Sequence, residues 1–384
     1  MSKIYLDYAA ATPLDDDVLT AMRPFLSEQF YNPSATYNAG RAAKRSLDDA
    51  RGKIASILGA RPSEIVFTAG GTEADNLAVR GVMARLPDGG VLASAVEHEA
   101  VLKPVEAQAH HALIPVDATG QIDMDALAKL ITDNTVLISV MYANNEVGTI
   151  QPLRKVVLLA EQIRAERRKA GNSLPLYVHT DACQAANYLD LHVARLGVDL
   201  MTLNGGKIYG PKQTGVLYIA SHVRLEPQIT GGGQERNLRS GTENVAGAVG
   251  FSTALEKAQN QRHEAVKYMQ ELRHHFVAEL QKVFPDCVIN GSTKHVLPNN
   301  THVTFPGQDN ERILFALDER GIMAAAGSAC SASNEEPSHV LRAMGISEAD
   351  AQASIRFTMG RDTTKDTIDQ TVKALADILS TPVY

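Results

Sequence analysis

Long apolar runs are missing from this 384-residue chain, which nowhere reaches the about 18 uncharged apolar residues of a membrane-spanning helix. A helical membrane protein is excluded on that ground, and a soluble one is expected. Cysteine is scarce as well. Cys183, Cys287 and Cys330 are odd in number, widely spaced and without a C-x-x-C pair, which argues against a disulfide framework or a zinc site. Any functional cysteine here acts as a thiol, and no metal is expected. Positive charge is not in excess either. A net charge of -7 and a pI near 6.0 leave no general basic field for nucleic acid, and the one basic cluster, residues 164–169, fits the solvated end of a helix. The opening MSKIYLDYAAATP has an acid at its seventh residue and no apolar h-region, so no export or transit signal is read there and a cytoplasmic location is expected. Tryptophan is absent, but 44% apolar and 21% charged residues are ordinary for a globular protein, and the length allows two or three domains.

What the chain does have is alternation. From Glu64 onward, short β-branched runs (EIVFT, VLASA, ALIPV, TVLISVMYA, LYVHTD, DLMTL) alternate with helical stretches starting at Thr72, after His98, at Asp123 and at Leu153. That spacing predicts an α/β fold with a mostly parallel central sheet covered on both faces. Past Gly231-Gly232-Gly233 the alternation stops. A long helical stretch from about Thr242 to Phe284 is expected to bridge to a smaller α+β domain with strands near HVTF, IMAAA and SIRFTM. The expected division is a large domain over residues 16–255 and a small domain over 256–384 together with 1–15.

In such sheets ligands bind beyond the carboxyl ends of the strands. Lys207 sits there, in NGGKIYGPK, between the apolar runs DLMTL and GVLYI. Taken alone it fits an exposed turn lysine, but confinement by Gly turns between buried strands would also strip solvent from its amine and make it nucleophilic. After EIVFT, the run Ala69-Gly70-Gly71-Thr72-Glu73 opens a helix and offers a phosphate seat, or an ordinary N-cap. His98 follows VLASA as a proton carrier, a stacking ring or a cap. Asn144 and Asn145 follow TVLISVMYA in a turn.

Asp181 ends LYVHTD, with Gln184 three residues on. A carboxylate at the end of a buried strand needs a partner: a pyridinium N–H or a basic residue of the protein would serve. Seat, ring-sized His, acid and confined lysine, all at strand ends, match the needs of a pyridoxal-phosphate (PLP) site. Cys330 lies in GSACSASN, a run of residues too small to pack tightly, which favours a reactive thiol over a structural one. Arg356 lies in the apolar run SIRFTM and requires a carboxylate, structural or the substrate's own.

Over nearly its whole length the sequence resembles the NifS/IscS group of PLP-dependent cysteine desulfurases, in YLDYAAATP, EIVFTAGGTEADN, VEHEAV, NNEVGTIQP, HTDACQ, GGKIYGPK, GGGQERNLRSGTEN, GSACSAS and SIRFTMGR. The resemblance implies the fold type I architecture of aspartate aminotransferase. It implies that Lys207 carries the cofactor, His98 stacks on its ring and relays protons, Asp181 pairs with the pyridine nitrogen and Gln184 contacts the ring hydroxyl. Gly71 and Thr72 would hold the phosphate, with Asn204 beside Lys207 as a further contact. Asn145 and Arg356 would position the carboxylate of L-cysteine, and Cys330 would accept its sulfur as a persulfide. Thr242, in RSGTEN, would reach the phosphate of a partner subunit, which implies a homodimer with shared sites.

Sulfur would pass to a scaffold for Fe-S assembly or to a tRNA-thiolation protein, with no direct contact to nucleic acid or membrane. The resemblance also has gaps. Asn204 and Gly206 stand where the family usually has Ser and His as phosphate ligands, Asn38 stands where many members have His, and the chain stops at Tyr384 without the extension that helps some members hold a scaffold. Other readings of the same fold are an aminotransferase, a selenocysteine lyase or a non-catalytic sulfur-transfer scaffold; Cys330 separates the desulfurase from the first two.

Overall fold

The computed structural model describes residues 3–327 and 338–380. The chain begins with strand β1 (Ile4–Tyr5) and helices α1 (Asp16–Ser27) and α2 (Asn38–Leu58). Then strand and helix alternate: β2 (Ile65–Thr68) and α3 (Gly71–Arg85), β3 (Gly90–Ser94) and α4 (Glu99–Glu106), β4 (His111–Ile114) and α5 (Met124–Leu130), β5 (Thr135–Ser139) and α6 (Leu153–Lys169), β6 (Tyr177–Asp181) and the short α7 (Val193–Leu196). Strands β7 (Leu200–Asn204) and β8 (Gly215–Ile219) bracket Lys207. The helices α8 (Val245–Asn260) and α9 (Arg262–Val283) follow, then β9 (Val288–Asn290), β10 (Asn300–Thr304), α10 (Asn310–Glu319), β11 (Ile322–Met323), α11 (His339–Ala343), α12 (Glu348–Gln352), β12 (Ser354–Thr358) and α13 (Lys365–Leu379).

Seven strands form one sheet in the order β2-β8-β7-β6-β5-β3-β4, in which β8 alone runs against its neighbours. The mostly parallel sheet expected from the alternation is therefore present. Its middle strands are buried on both faces, so β5 and β7 do not alternate apolar with polar residues, while His179, Thr180 and Asp181 of β6 form a buried polar stretch at the site end. Each fully buried Val, Ile or Leu in them contributes about 1.5–3 kcal/mol of transfer free energy. The edge strand β4 is half exposed, as an edge should be.

Residues from Val18 to Leu255 share one apolar core around this sheet. A second core gathers Ile4, Leu6, Leu272, Phe276, Ile355, Phe357 and Leu375 around the antiparallel sheet β12-β10-β9. The N-terminal strand β1 joins it by pairing in parallel with β11. Among the described residues no helix is long and apolar enough to cross a membrane.

The single helical stretch expected from about Thr242 to Phe284 is instead two helices that meet at Gln261. Gln261 closes α8 by donating its N–H to Lys257 O, and the chain turns there so that Phe251 and Leu255 of α8 enter the first core while Leu272, Phe276 and Leu280 of α9 enter the second. Helical periodicity alone carries no signal for that change of direction, since both halves have apolar faces. The expected strand IMAAA is shorter, Ile322–Met323, with Ala325 making an isolated bridge to Arg356.

Candidate active site

The strand ends of β2, β3, β5, β6 and β7 converge on one cavity of about 140 Å³. Gly71 and Thr72 reach it from the start of α3, His98 from the cap of α4, and Asn145 from the turn after β5. Asp181, Gln184, Asn204, Lys207 and Arg356 complete it. Of the expected site residues, Thr242 is not brought there; it is exposed and borders a separate recess with Thr68, Gln213 and Arg239. Cys330 lies outside the described residues. Asn38 is exposed at the first turn of α2 and does not line the cavity.

Lys207 ends a short 3-10 turn that Asn204 caps, its Oδ1 accepting the Gly206 N–H at 2.9 Å. The Lys207 amine donates to the main-chain carbonyls of Ala9 (2.8 Å) and Ala10 (2.5 Å), so the N-terminal segment forms a wall of the site. Burial lowers its pKa from the ordinary lysine value, and the Arg356 guanidinium pushes it the same way, against the opposing pull of Cys183, Asp7 and Asp181. The lysine is thus the confined one rather than the exposed turn lysine. The loop after it holds Tyr209 and Gln213 at φ of 60° and 57°, and non-Gly residues in that region cost on the order of 1–3 kcal/mol each. Tyr209 is held there by its neighbours. Its hydroxyl accepts the Arg361 N–H at 3.0 Å, and the Arg361 guanidinium lies 4.0 Å from its ring centre.

Asp181 accepts the Cys183 N–H at 2.8 Å and forms no ion pair with a basic side chain among the described residues. Of the two partners open to it on sequence grounds, the protein cation is therefore not the one present. Below it lies a buried polar layer that the sequence reading missed. His179 contacts Ser139 Oγ at 2.8 Å and Thr202 Oγ1 at 3.1 Å, and Asp75 Oδ1 lies 3.6 Å from its Nε2. Desolvation pushes His179 down to about 4, so this His–Asp contact is not an ion pair at neutral pH.

Desolvation also raises Asp75 and Glu97 well above the usual carboxylate range, and the charge of Asp181 raises both further. Both acids are thus pushed toward their neutral form beside Asp181. A polar residue on the buried face of α3, three positions after Thr72, was the available signal for Asp75.

His98 is a cap and a cavity residue at once: its Nδ1 accepts the Ala100 N–H at 3.0 Å, which fixes the ring against the cavity. Gln184 donates to Ala9 O at 3.0 Å. Arg356, 1% exposed, finds the carboxylate it requires in Asp7, at 2.6 Å, and also donates to Asn145 O at 3.0 Å; its Nε has no partner. Cys183, buried, is part of the cavity wall. A Cβ on Gly71 would lie 2.9 Å from the Cys183 sulfur and 3.4 Å from Asn204 Nδ2, so glycine at 71 lets the chain end of β6 close up beneath the start of α3.

The sequence pattern of the aminotransferase class-V family matches residues 4–371, and the chain belongs to that family. It is similar to a cysteine desulfurase IscS of Dictyoglomus turgidum, 42% identical over 383 residues, covering 98% of this chain and 94% of the relative. Among solved structures, a NifS-like protein superposes with a TM-score of 0.90 at 34% identity, covering 99% of this chain and all of the other. SspA in complex with cysteine superposes with a TM-score of 0.78 at 34% identity, covering 93% and 99% of the two chains. The fold is thus the fold type I architecture, and the protein is a PLP-dependent enzyme. The residues present fit that cofactor: an amine with its solvent stripped, a buried carboxylate without a protein cation, and a glycine-lined helix start stand around one cavity.

Proposed function

We infer that the chain is a cysteine desulfurase that takes sulfur from L-cysteine, leaves L-alanine and holds the sulfur as a persulfide on Cys330. The observation that carries this reading is the desolvated Lys207 amine sharing a closed cavity with Asp181, which has no protein cation. The names of the relatives and the cysteine-bound SspA structure support the substrate.

Lys207 would hold the cofactor through its aldehyde, and the carbonyls of Ala9 and Ala10 receive its amine whenever it is free. Asp181 would hold the ring nitrogen in its protonated form, and His98, fixed by its cap against the cavity, would move protons at the substrate. When bound, PLP supplies a sink for the electrons left as the Cα proton departs. Arg356 and Asn145 orient the substrate carboxylate, with Asp7 holding the guanidinium in place. The Cys330 thiolate attacks the substrate sulfur: an S–S bond forms, the C–S bond breaks, and the electron pair and a proton stay with the carbon fragment, which leaves as alanine. Gln184 would meet the ring hydroxyl, while Gly71, Thr72 and Asn204 would hold the phosphate.

The reading includes a division into residues 16–255 and 256–384 with 1–15, which the two separate apolar cores support. It also includes a cytoplasmic homodimer in which Thr242 serves the partner's site, supported by its exposure and its place outside this chain's own cavity, and a sulfur-accepting scaffold or tRNA-thiolation protein as the next station. The test is incubation with L-cysteine under reducing conditions, with alanine and sulfide measured. Wild type releases both, and Cys330→Ala binds L-cysteine but releases no sulfur and carries no persulfide. Sulfide at the wild-type rate from Cys330→Ala overturns the persulfide route and leaves a lyase.

A further inference from the structure

We propose that Lys212 is the cation that holds the cofactor phosphate in this chain, in place of the basic side chain that Gly206 lacks. The proposal rests on reading the strand-end cavity as the PLP site.

Beside that cavity, and sharing Gly71, Thr72, Asn204 and Lys207 with it, opens a recess of about 520 Å³. A phosphate monoester needs hydrogen-bond donors on several oxygens and an opposing charge. The donors are there. The first peptide N–H groups of a helix have no acceptor within it, and those of the 15-residue α3 begin at Gly71 and Thr72. Asn204 has committed its oxygen to Gly206 N–H, which turns its Nδ2 toward Gly71. None of these groups carries charge, and the Lys207 amine belongs to the aldehyde.

Lys212 fills the gap. Its side chain lines the recess, and its Cγ lies 3.6 Å from the point a Cβ on Gly206 would occupy, so its stem runs beside the place a side chain at 206 would start from. Its amine donates to Thr12 O at 2.5 Å and forms no ion pair among the described residues. An ammonium has three N–H donors, so two stay free for a phosphate. The one acid on the recess wall, Glu73, does not compete: it accepts the Ala69 N–H and pairs with Arg239 at 2.9 Å. The contact to Thr12 also ties Lys212 to the segment whose Ala9 and Ala10 carbonyls hold Lys207.

The test compares PLP with pyridoxal, which has the aldehyde and ring but no phosphate. The full chain, stripped of cofactor, is titrated with each, and binding is read from the absorption of the Lys207-bound ligand. Lys212→Met, close in volume, is expected to weaken PLP by roughly 10- to 100-fold, the worth of a charge-assisted hydrogen bond, while pyridoxal affinity stays within about 2-fold. Lys212→Arg keeps the charge and is expected to keep the preference for PLP. An unchanged PLP affinity in Lys212→Met, or an equal loss for both ligands, overturns the assignment. If wild type itself holds PLP no tighter than pyridoxal, the reading of the cavity falls together with it.

Discussion

The two ends of the site are built by opposite means. The end around Asp181 is closed and dry: Asp75, Glu97 and His179 are 1%, 0% and 0% exposed, and burial pushes each toward its neutral form. The end around Gly71 and Lys212 is open, and its groups are main-chain N–H donors, one amide and one long flexible cation. Charge states behind Asp181 are thus set by a low-dielectric wall in which a change of one group shifts its neighbours. Charge at the open end is screened and carried by a side chain that can reach from more than one position. Asn204 and Gly206 both lie at the open end.

The contrast breaks first at Lys207, which serves the closed end. Lys207→Ala is expected to bind PLP without a covalent link, to lose the visible absorption of the lysine-bound cofactor and to lose essentially all turnover. A spectrum like that of wild type removes Lys207 from its role.

The second experiment probes the seam between the two ends, where Gly71 faces the Cys183 sulfur. Gly71→Ala places a Cβ 2.9 Å from that sulfur and is expected to cost roughly 1–3 kcal/mol, read as weaker PLP binding and a lower melting temperature. Cys183→Ala removes the sulfur, so the double variant should recover most of the loss. A double variant no better than Gly71→Ala alone shows that the seam is not set by this contact.

The third concerns pH. Desolvation lowers the Lys207 pKa in the folded chain, so its amine loses its proton at a lower pH than an exposed lysine. The rate of covalent PLP capture by the stripped protein should rise with pH through a midpoint below the ordinary lysine value of 10.5. Solvent-exposed lysines of the same chain, labelled with an amine reagent, supply the reference, and coincident midpoints contradict the closed-end description.

The smallest effect is expected at the open end. Gly206 is not at positive φ, and a Cβ there would meet Asn204 Oδ1 at 3.4 Å and Lys212 Cγ at 3.6 Å, both ordinary contacts. Gly206→His is therefore tolerated, and it should slow loss of PLP on dialysis by no more than about 1.5 kcal/mol, because Lys212 already supplies charge to an exposed anion. Faster loss would mean that the recess has no room for a second basic group.

Much of this was legible in the chain itself. The parallel sheet follows from short β-branched runs alternating with helices, because strands covered on both faces are mostly apolar. Lys207, Asp181, His98 and Thr72 were singled out because they lie within four residues of the ends of such runs, and strand ends are where α/β sheets leave room for ligands. The residues missed are those whose importance depends on contacts across the sequence. Asp75 reads as one more helix acid until His179 and Asp181 are seen beside it. Cys183 reads as filler until Gly71 is found against its sulfur.

By itself, then, the sequence determined the order of strands and helices, the acid and the lysine at the strand ends, and the exclusion of a spanning helix, since these depend on local composition and period. Only the tertiary structure decided which strand ends meet. It bent the stretch around Gln261 so that α8 and α9 enter different cores. It set Asp7 against Arg356, 349 positions apart in the chain, and brought Ala9 and Ala10 to Lys207. Such pairings arise because a buried guanidinium or amine must find acceptors wherever the fold supplies them, and sequence distance has no part in that requirement.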